Sequence, residues 1–428
     1  MSESRDSEAP GGLTRRQLLG LASAGAAGLA IGGIGGALVP RLTGVADREG
    51  DPSASAYEFF GRNQSGVTTP VQDHLHFASF DMAADAGRDD LVSLLQDWSY
   101  AASRMTQGLE VSATGAVGGD PEAPPDDTGE ARDLVASGLT ITIGMGPTLF
   151  EKDGVDRFGI ASRRPPELQR LPPFVGDMLK TEWSHGDLCV QACADDPQVA
   201  VHAVRNLTRI AFGRAAIRWS QMGFGRTSKT TSAQQTPRNL MGFKDGTNNI
   251  LSEDTAAVEE HVWVTGGDGP GWLANGTYLV VRKIEMLIES WDRVRLAEQE
   301  TIIGRTKGPG APLSGGDEFT QPDFDAEING APAFDPAAHI KLAHPSSNGG
   351  IRLLRRGYNY VDGNNPYGRL DAGLFFLAFG RSPEQFIAVQ RMLSSDLLNE
   401  YIRHVGSAIF AVPPGATAGG FVGETLFG

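Results

Sequence analysis

A short apolar strand followed at once by a proline-initiated helix occurs twice in the chain, and this repetition constrains the fold more than any other feature. The first copy is the apolar run of residues 187–193, followed by Asp195-Asp196-Pro197. The second copy is residues 373–379, followed by Ser382-Pro383-Glu384. Asp or Ser at the N-cap with Pro at the first helical position is a strong helix start. Each copy therefore predicts a buried strand that leads directly into a helix.

The two halves of the chain also begin alike. Residues 74–82 and 277–284 have the alternating apolar content of strands, and helical patterns follow near residues 88–100 and 287–301. In each half, this order of elements predicts an α+β, split βαβ unit of the ferredoxin type.

We therefore expect an α+β fold in which two ferredoxin-like units pack together into a barrel-like whole. The first unit is predicted at residues 57–252 and the second at residues 253–428. The sequence repeat is loose, so a chance recurrence of strand and helix patterns is the alternative.

The N-terminus carries a paired arginine in Thr14-Arg15-Arg16-Gln17-Leu18-Leu19, and a weakly apolar run that is rich in Gly and Ala follows up to residue 39. This pattern predicts a twin-arginine export signal over residues 1–46 and a polar linker over residues 47–56. A membrane anchor is the alternative, but repeated glycine makes the run a poor spanning helix. We expect an exported protein, extracellular, periplasmic-equivalent or attached to the cell envelope; an uncleaved, anchored form stays open.

Charge and cysteine content exclude several classes of protein. The formal net charge is −15, which argues against nucleic acid or an anionic membrane surface as the main partner. The only two cysteines are Cys189 and Cys193. In a strand they would lie about 13 Å apart, too far for a disulfide. Without nearby histidines they do not form a zinc site either, so we expect two buried thiols.

Two long segments rich in Gly, Pro and acidic residues are predicted to be surface loops rather than core. They are residues 113–131 and residues 308–325. Loops of this length in a compact domain are usually lids or mobile insertions.

Two clusters could carry chemistry. Met241-Gly242-Phe243-Lys244-Asp245-Gly246-Thr247-Asn248-Asn249 has the composition of a tight turn, and an ordinary surface turn is the alternative to a functional site. The second cluster places His339 on a helix-like run ahead of His344-Pro345, and the arginine-rich segment Arg352-Leu353-Leu354-Arg355-Arg356 follows. None of the eight histidines has the spacing of a zinc protease motif, and no nucleophile elbow of a hydrolase is present.

These clusters, together with other segments in the same order, resemble the dye-decolorizing peroxidase family. Residues 242–247 are similar to the family's Gly-x-x-Asp-Gly signature. The resemblance extends through Gly66-Val67-Thr68-Thr69-Pro70, residues 186–191, residues 298–305 and Leu354-Arg355-Arg356-Gly357-Tyr358. It covers nearly the whole mature chain and is nearest in pattern to the secreted, deferrochelatase-like branch. It implies two ferredoxin-like units with one haem b per chain in the C-terminal unit.

The resemblance also implies the site residues. His339 is the proximal ligand of the haem iron, Asp245 the distal acid and Arg355 the distal arginine. Other residues are expected to bind the haem: Arg305 at a propionate, Gly246, Thr247 and Asn248 at the haem edge, and Leu374 and Phe376 as a roof on the distal side. His344 is a competing candidate for the iron ligand.

The implied function is a peroxidase that reduces hydrogen peroxide and oxidises bulky organic donors, dye-like or phenolic, in one-electron steps. One alternative is a deferrochelatase that releases iron from haem, with iron-uptake proteins as partners. The other is a non-catalytic haem carrier or sensor. Trp263, Tyr358, Tyr360 and Tyr401 are candidate surface aromatics through which electrons enter, and ordinary core aromatics are the alternative for each of them. The oligomeric state stays open.

Overall fold

The computed structural model describes residues 56–428. The predicted export signal and all but the last residue of the predicted linker lie outside the described residues. The strands are β1 (His74–Met82), β2 (Thr140–Met145), β3 (Leu188–Ala194), β4 (Ala215–Arg226), β5 (Thr277–Met286), β6 (Glu327–Ile328), β7 (Ala331–Pro332), β8 (Leu354–Arg355), β9 (Tyr358–Asn364), β10 (Leu370–Gly380) and β11 (Ile402–Val412). The α-helices are α1 (Arg88–Met105), α2 (Pro147–Phe150), α3 (Pro197–Ile210), α4 (Thr255–His261), α5 (Ile288–Trp291), α6 (Leu296–Ile303), α7 (His339–Ala343), α8 (Pro383–Met392) and α9 (Glu424–Phe427).

Both halves of the chain form the same antiparallel sheet. In the first half the strands lie in the order β4-β1-β3-β2, and in the second half in the order β11-β5-β10-β9. Numbered within each half, both sheets have the order 4-1-3-2, with helices between the first and second strands and between the third and fourth. This is the split βαβ arrangement of a ferredoxin-like unit, so the predicted fold class is confirmed.

The two four-stranded sheets join at both edges and close a barrel. Strand β2 pairs with β11, and β4 pairs with β9, while the short β8 is added outside β10. The barrel interior is filled by side chains from alternate positions of both halves, as in any small closed sheet. The aromatic rings of Phe77, Trp219, Phe375 and Phe410 meet there at centroid distances of 5.2–6.2 Å.

The proline-initiated helices form where the sequence predicts them. In α3 the Asp196 carboxylate accepts a hydrogen bond from the Gln198 N–H at 2.7 Å. In α8 the Ser382 hydroxyl accepts from the Glu384 N–H at 3.2 Å, and the Gln385 side chain accepts from the Ser382 N–H at 2.9 Å. Each cap satisfies a backbone donor that the first helical turn leaves free.

The predicted helix over residues 287–301 is wrong as a continuous element. The structure has two short helices there, α5 and α6, separated by a turn. The buried amide of Gln299 donates to the carbonyls of Trp291 and Val294, both at 3.1 Å. These bonds satisfy carbonyls that a continuous helix would have used internally, so the chain can turn while its apolar spacing stays helical.

Both cysteines are free and buried, as predicted. The loop of residues 113–131 contains no helix or strand, and the buried Asp127 carboxylate holds it by accepting the N–H groups of Val111 at 2.9 Å and Gly129 at 2.7 Å. Within residues 56–428, none of the helices has the length and hydropathy that crossing a bilayer would require.

His404 on β11 predicts a specific acid sensitivity of the folded state. Burial, helped by the nearby Arg282 cation, lowers the pKa of this histidine from 6.5 to about 3. The unfolded chain therefore binds one more proton below pH 6.5 than the folded chain does, and stability falls as the pH falls. Burial is the larger of the two causes, because the Arg282 charge is itself paired with Asp177.

We expect the free energy of unfolding to lose about 1.4 kcal/mol per pH unit through His404 alone between about pH 6 and pH 4. Urea unfolding at a series of pH values measures this slope, and His404→Gln should reduce it by that amount. An unchanged slope in the variant would show that His404 titrates normally in the folded protein.

Candidate active site

The predicted distal acid and distal arginine lie side by side. Nη1 of Arg355, on β8, donates to Oδ1 of Asp245 at 2.8 Å. Both side chains are partly accessible, 28% for Arg355 and 16% for Asp245, so a small molecule can reach them. Sequence spacing does not predict this contact, because the two residues are 110 positions apart.

The turn that carries Asp245 depends on glycine. Gly246 has φ +86°, and a Cβ at this position would lie 2.8 Å from the Cα of Ser228. Only glycine adopts this conformation without strain and allows so close a backbone contact. The predicted tight turn is therefore confirmed, and it serves to hold the acid against Arg355.

Asn249, rather than its neighbour Asn248, ties this turn to β8. Its side-chain amide donates to the carbonyls of Lys229 at 2.7 Å and Arg355 at 2.9 Å, and its oxygen accepts from the Arg355 N–H at 2.8 Å. Asn248 is exposed. The sequence analysis assigned a site role to Asn248 only, although the buried Asn249 is next to it in the same motif.

Replacing Asn249 by Ala is expected to leave three backbone groups without their partners and to cost about 1–3 kcal/mol of stability. Because the Arg355 backbone would lose its hydrogen bonds to Asn249, we also expect the reaction of the protein with peroxide to slow by about tenfold. Stopped-flow absorbance and urea unfolding measure the two effects. Asn248→Ala is the matched control and should change neither.

His339 begins α7 and is held by a buried carboxylate. Its Nδ1 lies 2.6 Å from Oδ2 of Asp396, whose other oxygen accepts the Leu398 N–H at 2.8 Å. Burial acts to lower the pKa of His339, but the charge of Asp396 and the hydrogen bond to it outweigh burial and raise the pKa above its ordinary value. In the neutral imidazole, the hydrogen bond to Asp396 fixes the ring proton on Nδ1 and leaves the Nε2 lone pair free.

His339 lies near Asp245 and Arg355. Asp245 raises and Arg355 lowers the pKa of His339 through space, so the three groups are electrostatic neighbours without direct hydrogen bonds. The His339 side chain is 34% accessible, so all three side chains can be reached by a ligand.

One sheet face borders this site. Leu374 and Phe376 are two positions apart on β10, and Arg355 is directly opposite Ala378 on the same strand. Side chains two apart, and those opposite each other, share a face. Leu374 packs against the cluster of Phe243 and Trp291, and Phe376 lies 6.0 Å from the ring of Phe386.

Arg305 and Thr247 belong to a neighbouring polar cluster built on Glu318. Nη1 of Arg305 donates to the carbonyls of Gly310 at 2.7 Å and Glu318 at 2.9 Å. The Glu318 carboxylate contacts Lys244 and accepts from the Thr247 hydroxyl at 3.3 Å. The predicted loop of residues 308–325 is therefore fastened to the Asp245 turn. Sequence reasoning missed Glu318, which lies in a segment whose composition suggests only a loop.

His344 lies apart from the acid–arginine pair. Its Nδ1 accepts the Ser346 N–H at 3.2 Å and contacts the Ser346 hydroxyl at 2.8 Å, and its ring packs on Phe324. Burial first, and the charge of Arg305 second, lower the pKa of His344. Because Nδ1 accepts this hydrogen bond, the proton of the neutral His344 imidazole lies on Nε2, whereas in His339 the bond to Asp396 places it on Nδ1.

These residues fit a haem group. They offer the Nε2 of His339, whose other ring nitrogen is bonded to a buried carboxylate, an apolar sheet face for a macrocycle, and the cation of Arg305 for carboxylates. The acid and arginine are on hand for peroxide. A closed pair of ferredoxin-like units with such a site defines the class of haem peroxidases.

The chain belongs to the Dyp-type peroxidase family. The N-terminal family model matches residues 64–225 and the C-terminal model matches residues 236–417. Deferrochelatase from Escherichia coli (strain K12) is 35% identical over 376 residues, which is 86% of this chain and 86% of that protein.

Two solved structures of family members are similar over most of their length. Ferric DtpA from Streptomyces lividans shares 39% identity with a TM-score of 0.79, over 88% of this chain and 98% of that one. The DyP-type peroxidase from Cellulomonas bogoriensis shares 38% identity with a TM-score of 0.77, over 88% and 99% of the two chains. The predicted family, fold and enzyme class, a haem peroxidase, are confirmed.

Asp396 is the functional neighbour that sequence reasoning missed altogether. It is 57 positions from His339, and nothing in its local sequence distinguishes it from an ordinary helix cap. The expectation of surface aromatics is also corrected. Tyr358 and Tyr360 are fully buried because their positions on β9 face the barrel interior, and Trp263, in the loop after α4, is 7% exposed. Tyr401 is partly exposed.

Proposed function

We propose that this chain is an exported peroxidase in which Asp245 and Arg355 act on hydrogen peroxide at a haem b whose iron is held by His339. The observation that carries the proposal is the contact of Asp245 with Arg355 near His339. A carrier needs a ligand and apolar walls. It has no need of a paired acid and arginine opposite the ligand.

The cofactor would be held by the groups just described. Nε2 of His339 would bind the iron, and Asp396 would make the imidazole a stronger donor by accepting its Nδ1 proton. Arg305 would pair with a propionate, Gly246, Thr247 and Asn248 would contact the haem edge, and Leu374 and Phe376 would cover the distal side. His344 is the weaker candidate for the iron because its Nδ1 lone pair is already used by Ser346. The haem supplies the two-electron cleavage of peroxide and the later one-electron oxidations.

Asp245 and Arg355 divide the work on peroxide. The Asp245 carboxylate takes the proton from one peroxide oxygen and returns it to the other, which then leaves as water. The guanidinium cation of Arg355 stabilises the negative charge that develops on the departing oxygen. Their hydrogen bond at 2.8 Å keeps Asp245 oriented before peroxide arrives. Two molecules of an organic donor then give one electron and one proton each, so one peroxide becomes two waters.

Export and iron uptake are further parts of the proposal. The paired Arg15-Arg16 ahead of the weakly apolar run supports twin-arginine export. The relative named deferrochelatase supports a second candidate function, release of iron from haem with iron-uptake proteins as partners.

One experiment separates the two functions. The purified protein is incubated with haem, and separately with peroxide and an organic donor, and the products are analysed. Oxidised donor with intact haem supports the peroxidase. Metal-free protoporphyrin, formed faster than donor is oxidised, would establish the deferrochelatase instead.

A further inference from the structure

An open groove lies outside the barrel, away from the candidate active site. It is bounded on one side by the Met178–Lys180 stretch and on the other by the hairpin between β9 and β10, and has a volume of about 540 Å³. Small-molecule sites commonly have roughly 300–1,000 Å³. The groove floor is the end of β5 with Arg403 and Val405 of β11.

The first wall is firmly built. The N–H groups of Met178 and Lys180 donate to the carbonyls of His404 at 2.9 Å and Val405 at 2.8 Å, which adds this stretch to the sheet edge. Just before it, Asp177 forms an ion pair with Arg282, and both side chains are buried. The wall is therefore a fixed surface and not a loose loop.

The second wall is the hairpin between β9 and β10, which is attached to α5, the helix that follows β5. The Leu370 N–H donates to the Glu289 carboxylate at 2.9 Å. This bond, with the charges of Arg369 and Arg293, lowers the pKa of Glu289. The carboxylate is thus already compensated and does not repel an anion strongly.

The groove combines cations with flat apolar surface. Lys180, Arg369 and Arg403 line it and are exposed, and none of them forms an ion pair within 4 Å in the described part of the chain. Beside them Tyr367 is 88% exposed, Met178 56% and Leu370 41%. The groove also holds the carboxylates of Glu285 and Glu289, so its three cations leave it with a net positive charge on a chain whose net charge is −15.

The groove reaches the packing behind the candidate active site through one residue. Met286 of β5 lines the groove and also belongs to the buried cluster of Trp291 and Phe243. Leu374 of the candidate site packs against this same cluster. A molecule in the groove would therefore lie outside the cavity yet close to its wall.

We propose that this groove binds aromatic anions and is the docking site of the reducing substrate. The ring system lies against Tyr367, Met178 and Leu370, and the anionic group pairs with Arg403, Lys180 and Arg369. The substrate class rests on the proposed peroxidase function, because a donor too large for the cavity must give up its electron and proton from outside. Binding itself does not rest on that function.

The test begins with binding in the absence of peroxide. Anthraquinone-2-sulfonate, a three-ring anion, is titrated into the holoenzyme by calorimetry beside its uncharged 2-hydroxymethyl analogue. We expect the anion to bind about tenfold more tightly than the analogue, and its affinity to fall as salt is raised. Equal affinities that do not depend on salt would overturn the charge argument.

Three variants of groove residues locate the binding site. Arg403→Glu and Tyr367→Ser should each weaken sulfonate binding by about tenfold, with Lys180→Glu as an independent third variant on the other wall. Tyr100→Ser and Arg132→Glu change an exposed tyrosine and an exposed arginine elsewhere on the surface and should bind normally. If the groove variants bind the anion as the wild type does, the groove is not the site.

Kinetics then separate the groove from the proposed function. With an oxidisable anionic anthraquinone as donor, the groove variants should raise KM about tenfold at unchanged kcat, and with uncharged hydroquinone they should leave KM unchanged. Tight sulfonate binding without any donor oxidation would reject the peroxidase and keep the groove as an anion site. Normal oxidation with unaltered KM in every variant would reject the groove as the docking site and keep the peroxidase.

Discussion

Replacing Arg355 by Leu is expected to slow the reaction of the protein with hydrogen peroxide by a factor of about 10²–10⁴. The guanidinium of Arg355 is the only cation in contact with Asp245 among the described residues, at 2.8 Å from Oδ1. Without it, the charge on the departing oxygen has no donor and Asp245 loses its fixed orientation. The second-order rate constant is measured by stopped-flow absorbance at the Soret band, with haem-loaded protein mixed with a series of peroxide concentrations.

Asp245→Ala should slow the same step by about 10²–10⁴ for a different reason, since the proton then has no carrier. The two variants share one step, so the double variant should be little slower than either single one. Arg352→Leu is the matched control: Arg352 forms an exposed ion pair with Asp254 at 3.3 Å, and its loss should leave the rate unchanged. Full peroxide reactivity in both Asp245→Ala and Arg355→Leu would establish a haem carrier or sensor.

Local signals in the sequence were sufficient for the architecture. The strand His74–Met82 and the capped helices that begin at Pro197 and Pro383 occur where turn and cap chemistry place them. These elements are determined by neighbours within a few positions, which a single sequence displays. The matching order 4-1-3-2 in both halves then follows from two similar units closing on each other.

The site was predictable only in part, because its contacts join distant parts of the chain. Asp245, Arg355 and His339 entered through a family resemblance, since by composition Asp245 belongs to a turn. Asp396 and Glu318 could not be found in this way. Each is defined by the partner it reaches across the fold, 57 positions to His339 and 74 to Lys244. The break between α5 and α6 was missed for a different reason: the Gln299 amide, which bonds to the nearby carbonyls of Trp291 and Val294, leaves no signal in the spacing of apolar residues.

His339→Ala is expected to lower haem affinity by more than about 100-fold. Loss of only a hydrogen-bond partner of a metal ligand costs up to about 100-fold, and loss of the ligand itself should cost more. The variant removes the one imidazole whose Nε2 is free and whose Nδ1 is held by a buried carboxylate at 2.6 Å. The ratio of Soret to protein absorbance after purification, and iron content by mass spectrometry, measure haem retention without any assay of turnover.

Asp396→Asn separates the ligand from its support. An amide still accepts the Nδ1 proton but carries no charge, so the iron should stay bound while its reduction potential rises, because a neutral partner makes the imidazole a weaker donor. His344→Ala tests the competing ligand and should retain haem fully, since its Nδ1 already accepts the Ser346 N–H. Haem loss in His344→Ala together with retention in His339→Ala would assign the iron to His344. The acid and arginine would then have to serve a haem bound on the other side of α7.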